Sequence, residues 1–373
     1  MRVCIESECS SCNTKITEDL RIAHALTFPC QVDLAQQVAF CSEESRIWFG
    51  QPLLQSLKNP QNIEVEILKE TFVHHQKVIV LNCIDFIYGH SLIRLLNAQK
   101  HLEHHSEYGL IVIIQDFLRW MVPDGVAEIW TVDIPLKKGT YYYPKFNEFI
   151  QKELQRFSNV YISEASLYPK YFNIANFTRI PKHDLNSKEF RVTFIWREDR
   201  IWFNLLLARL PRRLGLKNLL LSFQKRRILS FFRKLRVMIP SAKFAVAGLG
   251  TTAKFPHWIE DFRVNTFDEQ SERETCEVYA ASRLVIGVLG SNMLLPSAHA
   301  GMTIDLILNG KENRWGNLTD DILYQEDDVR LAAFRYQYVS FEVSIAELTR
   351  IAANMILAYP NFNQMVKAGS KIN

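Results

Sequence analysis

Residues 284–301 read LVIGVLGSNMLLPSAHAG and contain the pattern that decides the fold class. A continuous apolar run that ends at a glycine is typical of a strand buried on both faces of a parallel sheet. The turn Gly290-Ser291-Asn292 follows, and the apolar residues after it predict a helix over 293–300 with Ser291 as its N-cap. Strand, tight turn and helix form the repeating unit of an α/β protein.

Similar patterns recur along the chain on both sides of this segment. Predicted strands cover residues 63–67, 78–83, 110–114, 128–132, 160–162, 192–196, 243–247, 264–267 and 303–308. Predicted helices cover residues 91–104, 145–157, 272–282 and 344–358. The stretch 168–188 is rich in Pro and Asn and reads as a crossing between two sets of strands. We therefore expect two α/β domains, residues 1–181 and 182–373, with a C-terminal helix that can pack back on the first.

The composition is that of an ordinary globular protein. Of 373 residues, 48% are hydrophobic and 23% are charged, which excludes wholesale disorder. No apolar run approaches the length of about 18 residues that a membrane span needs, and no charged-then-apolar leader opens the sequence. Cys9 and Cys12 form one Cys-x-x-Cys step without a second pair, so no metal site is predicted there. These features favour a cytoplasmic protein.

Basic residues are concentrated in one part of the chain. Between Arg200 and Ile259 there are 13 Lys or Arg and no Asp or Glu, although the net charge of the protein is only +4. Residues Arg209–Arg236 alternate apolar and basic runs, which is typical either of a helix packed on a sheet with a basic solvent face or of a helix at a membrane interface. An acidic membrane surface is therefore an expected partner, with peripheral contact at the inner face of the membrane. Nucleic acid is not expected, because no nucleic-acid-binding motif accompanies the charge.

Three groups of residues follow predicted strands of the second domain, where ligands of open α/β sheets bind. The planar guanidinium groups in the first suit phosphate oxygens, and the glycines of the other two allow close backbone approach. A helix N-terminus after the third group adds a site for an anion. The alternative for the first group is a surface ion-pair cluster with Glu198 and Asp199. For the second group it is an ordinary tight turn, and for the third it is simple capping of a helix. The groups are Arg197 and Arg200; Gly248, Gly250 and Thr251; and Gly290, Ser291 and Asn292.

Two candidates for a general base follow predicted strands of the first domain. His90 precedes the predicted helix 91–104, and an imidazole with a pKa near 6.5 can take a proton from a sugar hydroxyl. Asp85 is close enough in sequence to orient it. Asp116 is the second candidate. The alternative for either residue is a polar cap on the helix that follows it.

Two segments of the sequence and one arginine resemble a known family of enzymes. The segment Tyr279–Leu295 is similar to the C-terminal signature of GT-B glycosyltransferases related to the plant xylosyltransferase and O-linked N-acetylglucosaminyltransferase group, Val-Gly-x-His-Gly-Ala/Ser before an apolar helix. Leu289 stands where the family commonly has His. Arg197 resembles the family's phosphate-side arginine. The segment Phe86–Leu96 is similar to the family's Gly/Tyr-His-Trp phrase, with Ser91 in place of Trp.

The resemblance implies two Rossmann-like domains facing a central cleft, with an acceptor in the first and a nucleotide-sugar donor in the second. The acceptor is expected to be a glycan or a lipid-linked hydroxyl compound. The chain contains no Asp-x-Asp, which predicts sugar transfer without a metal and without another cofactor. Alternatives are a nucleotide-sugar epimerase or hydrolase of the same architecture, and an inactive membrane-peripheral scaffold, which Leu289 would suit.

Overall fold

The computed structural model describes residues 2–169, 172–203, 217–307, 326 and 328–369. The chain forms two compact units, Met1–Phe177 (unit 1) and Thr178–Asn373 (unit 2). The sequence analysis placed the boundary a few residues later, between Pro181 and Lys182. Within the described ranges, no helix combines the length and the apolar character that a membrane crossing requires.

Unit 1 begins with a small antiparallel layer that the sequence analysis did not predict. Its strands lie in the order β1-β2-β3-β4 and are β1 (Cys4–Glu8), β2 (Lys15–Asp19), β3 (Gln31–Asp33) and β4 (Val38–Phe40). Short helical turns at Glu43–Ser45 and Arg46–Gly50 lead into α1 (Gln51–Lys58). Cys30 and Val32 pack against Leu53 and Leu54 and form the core of this layer.

The second sheet of unit 1 is mostly parallel, in the order β5-β8-β7-β6-β9. Its strands are β5 (Ile67–Thr71), β6 (Lys77–Asn82), β7 (Gly109–Gln115), β8 (Glu128–Val132) and β9 (Asn159–Ile162). Its helices are α2 (Tyr88–Leu95), α3 (Asn97–His104) and α4 (Pro144–Leu154). The edge strand β5 is antiparallel to β8, and the other pairs are parallel.

Unit 2 contains a six-stranded parallel sheet in the order β12-β11-β10-β13-β14-β15. Its strands are β10 (Arg191–Arg197), β11 (Lys243–Leu249), β12 (Ile259–Val264), β13 (Ser282–Val288), β14 (Met302–Ile307) and β15 (Tyr336–Ser340). The helices among the described residues from 174 onward are α5 (Ile174–Thr178), α6 (Lys217–Met238), α7 (Glu269–Ala280), α8 (Leu294–His299), α9 (Val329–Arg335) and α10 (Ile345–Gly369).

The strand order identifies where each parallel sheet can bind a ligand. Numbered within its own unit, the sheet of unit 2 has the order 3-2-1-4-5-6, and the parallel strands of unit 1 have the order 3-2-1-4. This is the Rossmann arrangement, in which ligands bind at the carboxyl ends of the strands where the order reverses. That switch point lies between β10 and β13 in unit 2 and between β6 and β9 in unit 1. The predicted α/β class with two Rossmann-like domains is confirmed.

Four predicted elements differ clearly in position or length. The helix predicted over 344–358 continues to Gly369 as α10. The antiparallel edge strand of the second sheet in unit 1 is β5 at 67–71 instead of 63–67, and β12 lies at 259–264 instead of 264–267. Both are edge strands with exposed polar residues, so they lack the continuous apolar run on which the prediction depended. The helix predicted over 91–104 begins earlier, at Tyr88, and is divided into α2 and α3.

Candidate functional site

The loops after β10 and β13 meet at the switch point of unit 2. Arg197 is the last residue of β10, and its Nη1 donates to Oδ1 of Asn292 at 2.9 Å. Arg200 Nη1 donates to the carbonyl oxygen of Leu289 at 2.6 Å. Two arginines of one loop therefore hold the turn that follows β13, as expected if the two predicted groups belong to one site.

Glycines make this close approach possible. Gly290 has a φ of +151°, and a Cβ placed on it would lie 2.0 Å from Nη1 of Arg200. Gly248 has a φ of +115°, and a Cβ there would lie 2.3 Å from the carbonyl oxygen of Trp196. Both conformations fall in the left-handed region that L side chains rarely adopt. A side chain at Gly248 would collide with the backbone of β10, and one at Gly290 would displace the Arg200 guanidinium.

The loop after β11 joins the same cluster through Glu198. This carboxylate accepts hydrogen bonds from the backbone N–H and the hydroxyl of Thr252, both at 3.0 Å, and from Lys217 Nζ at 3.2 Å. A Cβ on Gly250 would lie 2.4 Å from the Glu198 side chain. Thr251 behaves differently, because its hydroxyl donates to Asn265 Oδ1 at 2.8 Å in the loop after β12. Gly250 is thus part of the cluster, whereas the Thr251 hydroxyl is engaged outside it.

The prediction that Ser291 caps the following helix is wrong. Gly290 occupies the N-cap position of a short 3-10 turn, Ser291–Met293, and no side chain there makes a capping hydrogen bond. The α-helical residues begin only at Leu294. The left-handed backbone at Gly290 is the physical reason, because it sets the chain direction before Ser291 is reached. Ser291 is half-buried beside Asn292 at the carboxyl end of β13.

A buried glutamine on α6, which sequence reasoning missed, holds the loop that carries Arg197 and Arg200 (the arginine loop). Gln224 Nε2 donates to the carbonyl oxygen of Arg197 at 3.2 Å, and its Oε1 accepts from the backbone N–H of Trp202 at 2.5 Å. The side chain thereby spans the loop from one end to the other. Its only sequence signal is a polar residue on the apolar face of a predicted helix.

The arginine loop carries its own counter-charge. Arg197 donates to both carboxylate oxygens of Asp199, with Nε at 2.7 Å from Oδ1. Burial opposes ionisation of Asp199, but Arg197 outweighs it and lowers the pKa of this carboxyl below its ordinary value. Asp199 is exposed, so a ligand oxyanion can replace it on the same guanidinium face. The Arg197 guanidinium can therefore pair either with Asp199 or with an anionic ligand that displaces it.

His90 lies inside α2, so it does not cap that helix. Its Nδ1 is 3.3 Å from Oδ1 of Asp85, and Asp85 forms an ion pair with Arg94 at 2.7 Å. The same Oδ1 also accepts from the backbone N–H groups of Phe86 and Ile87. Burial opposes ionisation of Asp85, yet Arg94 and His90 hold its pKa well below the usual range. A fixed carboxylate therefore orients the imidazole, as in the base of a catalytic dyad.

A second histidine, which sequence reasoning did not select, lies against His90. The rings of His24 and His90 have centroids 4.4 Å apart. Backbone N–H of Ala23 donates to the carbonyl oxygen of Glu164, just after β9, at 2.8 Å. The antiparallel layer thus delivers His24 to the switch point of unit 1. Burial, with a contribution from His90, lowers the pKa of His24 to about 3, so its imidazole is neutral at neutral pH.

Asp116 occupies a different position. It is the first residue of a 3-10 helix, Asp116–Met121, at the carboxyl end of β7, and it is exposed. Its neighbour Gln115 is the residue that reaches Asp85, accepting from the Asp85 backbone N–H at 3.2 Å. The structure therefore associates His90, and not Asp116, with the buried carboxylate.

His24, Asp85 and His90 are also the group whose geometry comes nearest to a metal site among the described residues. Their ligand atoms lie within 4.8 Å of one another. However, Oδ2 of Asp85 is held by the Arg94 guanidinium at 2.7 Å, and its Oδ1 already accepts two backbone N–H groups. A divalent cation would sit beside a positive charge with a single carboxylate to neutralise it. This arrangement fits proton transfer better than metal binding.

Comparison with known proteins adds little to this geometry. No family model and no curated protein matches the chain. The crystal structure of a GtfA/B complex is 11% identical and matches 71% of this chain with a TM-score of 0.26. The crystal structure of TarM is 10% identical and matches 94% of this chain with a TM-score of 0.27. The chain covers 48% of the first protein and 61% of the second, and likeness at this level carries no argument about function.

Proposed function

We propose that the protein is a metal-independent glycosyltransferase that moves a sugar from a nucleotide-sugar donor to a hydroxyl acceptor. The observation that carries this proposal is the meeting of Arg197, Arg200, Gly290 and Asn292 at the switch point of unit 2. Two guanidinium groups and a glycine-lined backbone turn there suit the diphosphate of a nucleotide. The family resemblance of the same residues supports the same donor class.

In the proposed reaction the acceptor oxygen attacks the anomeric carbon of the donor sugar. The bond from that carbon to the diphosphate oxygen breaks, and its electron pair leaves with the diphosphate. The acceptor proton passes to His90, whose Nε2 is available because Nδ1 faces Asp85. Arg197 and Arg200 stabilise the negative charge that develops on the leaving group, as a metal ion does in other transferases.

The test is a transfer assay with a panel of nucleotide sugars, in the presence of EDTA, with and without glycan acceptors. The proposal expects turnover that requires an acceptor and persists in EDTA. Turnover without any acceptor would instead indicate an epimerase or hydrolase. Binding of a nucleotide sugar with no turnover under either condition would favour the inactive scaffold.

An exposed face of α6 supports a second proposal, that the protein docks on acidic membrane surfaces. Leu220, Ile228 and Phe231 are buried on the opposite face of this helix. Leu219, Phe223 and Val237 are 61%, 45% and 81% exposed, and the basic residues Arg226, Arg233 and Lys234 are exposed between them. Apolar and basic side chains on one helix face suit the boundary between headgroups and acyl chains. Residues 209–216 of the predicted basic segment lie outside the described residues.

A further inference from the structure

Unit 1 contains a cavity of about 570 Å³, a volume within the usual range for small-molecule sites. Its lining comes from the antiparallel layer, from the helical segment that follows it and from the carboxyl end of β6. Gly139 allows this enclosure, because a Cβ there would lie 2.3 Å from the carbonyl oxygen of Asp85. The loop that carries Tyr141 and Tyr142 can therefore lie directly against the end of the strand.

The charges in the cavity wall are already paired with one another. Arg2 contacts Asp19, and Arg94 contacts Asp85. Glu6 is a third carboxylate in the lining. With both cations neutralised and a carboxylate in excess, the wall offers no net positive charge to a phosphate or a carboxylate ligand. This is the opposite of the arginine loop in unit 2.

The remaining lining combines aromatic surface with uncharged hydrogen-bonding groups. Trp48 and Tyr141 present rings that are 51% and 40% exposed. The uncharged polar side chains of the wall are Thr17, Ser56, Asn82, Thr140, Asn147 and Gln151. Flat apolar rings beside many neutral donors and acceptors match a ligand that has apolar ring faces and many hydroxyl groups.

His24 lies between this cavity and His90, the proposed base. It lines the cavity and contacts the rings of Phe49 and His90, at centroid distances of 5.2 Å and 4.4 Å. Within the described part of the chain its ring nitrogens make no hydrogen bond. A neutral imidazole has one lone pair, so the free nitrogen can accept a hydrogen bond from a hydroxyl group.

We infer that this cavity binds an uncharged saccharide and that His24 contacts one of its hydroxyl groups beside His90. The inference rests on the proposed function only in identifying this saccharide as the acceptor. The cavity should accept a neutral glycan end in preference to a phosphorylated or diphosphate-linked acceptor, because the paired charges of its wall disfavour anions.

The test is a titration of the intact ¹⁵N-labelled protein with neutral mono- and disaccharides, each beside its phosphorylated or uronic-acid counterpart. The indole N–H signal of Trp48 and the imidazole signals of His24 report binding at the cavity. We expect neutral saccharides to shift these signals at millimolar concentration and their anionic counterparts to bind more weakly. His24→Phe keeps the ring contacts but removes the nitrogen, so it should weaken binding about tenfold, the worth of one hydrogen bond.

His104→Phe is the matched control, because this exposed histidine of the same unit lies outside the cavity lining. Trp48→Ala changes an exposed side chain without threatening the core, so it tests the aromatic surface if His24→Phe fails to fold. Tighter binding of the anionic counterparts, no shift with any saccharide, or equal binding by every variant would overturn the inference. Nucleoside diphosphates titrated into the same sample report on unit 2, so a failure of the proposed donor site is seen separately.

Discussion

Arg197 and Asp199 decide whether the arginine loop is a ligand site or a surface ion pair. In the structure, Asp199 occupies two of the guanidinium nitrogens that a diphosphate would use. A bound phosphate must therefore displace Asp199, and the two anions compete for one cation. If a phosphate competes with Asp199 for Arg197, loss of the arginine should weaken phosphate binding and loss of the carboxylate should strengthen it. A purely structural ion pair predicts no effect of either change on phosphate binding.

Arg197→Ala should weaken binding of the matching nucleoside diphosphate by about 10- to 100-fold, since a charge-assisted hydrogen bond contributes about 1.5–3 kcal/mol. Asp199→Asn should strengthen it severalfold, because it removes the competing carboxylate. Arg200→Ala should have a smaller effect than Arg197→Ala, because Arg200 is exposed and its charge is screened by water, whereas Arg197 is half-buried. Isothermal titration calorimetry measures all three. Equal, small losses at every position would mean that the loop is a surface ion-pair cluster.

His24 makes the stability of the protein depend on pH. Its pKa is about 3 in the folded state and about 6.5 in an unfolded chain. Between these values the unfolded chain binds the additional proton, so the free energy of unfolding falls as the pH drops below about 6.5. His24→Phe should therefore reduce the loss of stability between about pH 7 and pH 5, and His104→Phe should not. Urea unfolding at each pH measures this, and identical pH slopes for the three proteins would contradict the account.

Among the elements, the central strands were predictable and the edges were not. β7 is buried along its whole length and β13 at every residue except Arg283, and both contain long apolar runs in the sequence. The strands of the antiparallel layer are three to five residues long and half of their residues are exposed, so they carry no such signal. Edge strand β15 was missed for the same reason, because it is buried only in part.

The candidate sites divide in a similar way. Arg197, Gly248 and Gly290 could be found because each follows a buried strand in the sequence. Gln224 and His24 could not, since one acts from a helix and the other from the unpredicted layer. Their contribution depends on tertiary contacts between distant segments, which neither spacing nor periodicity reveals.

Membrane docking would use the exposed face of α6. Arg227 does not belong to that face: its guanidinium stacks 4.0 Å from the centroid of the Trp202 ring and donates to the Phe341 carbonyl oxygen at 3.0 Å. Burial also lowers its pKa, as expected for a packed arginine. A variant that tests docking should therefore leave Arg227 unchanged.

The protein should sediment with vesicles that contain phosphatidylserine and not with phosphatidylcholine vesicles. Each basic residue near an acidic surface contributes about 1 kcal/mol, and exposed charges are screened over about 10 Å in 0.1 M salt. Binding should therefore decrease with added salt and disappear when Arg226, Arg233 and Lys234 are all changed to Glu.

Changing Lys15, Lys100 and Lys137 to Glu is the matched control, since these exposed lysines of unit 1 alter the net charge equally. If both triple variants lose vesicle binding to the same degree, net charge and not the α6 face is responsible. If the unaltered protein ignores phosphatidylserine vesicles at low salt, the face is simply solvated. Displacement from the vesicles by RNA would instead indicate a nucleic-acid surface.

The parallel sheets of the two units share one strand order but have different charged groups at their switch points. The switch point of unit 2 has Arg197 and Arg200 beside an exposed, displaceable carboxylate. The switch point of unit 1 has a buried carboxylate held by Arg94 and an imidazole oriented against it. The first chemistry suits an anionic leaving group and the second suits removal of a proton. A glycosyltransferase requires both.

The proposed sugar transfer requires unit 2 to bind the diphosphate of a nucleotide without a metal. A calorimetric titration of the intact protein with uridine, guanosine, adenosine, cytidine and thymidine diphosphates in EDTA tests this requirement. We expect at least one of them to bind, with an affinity about 10- to 100-fold lower in Arg197→Ala and unchanged in His90→Ala. Absence of binding by every nucleoside diphosphate, or binding that requires a divalent cation and survives Arg197→Ala, would contradict it.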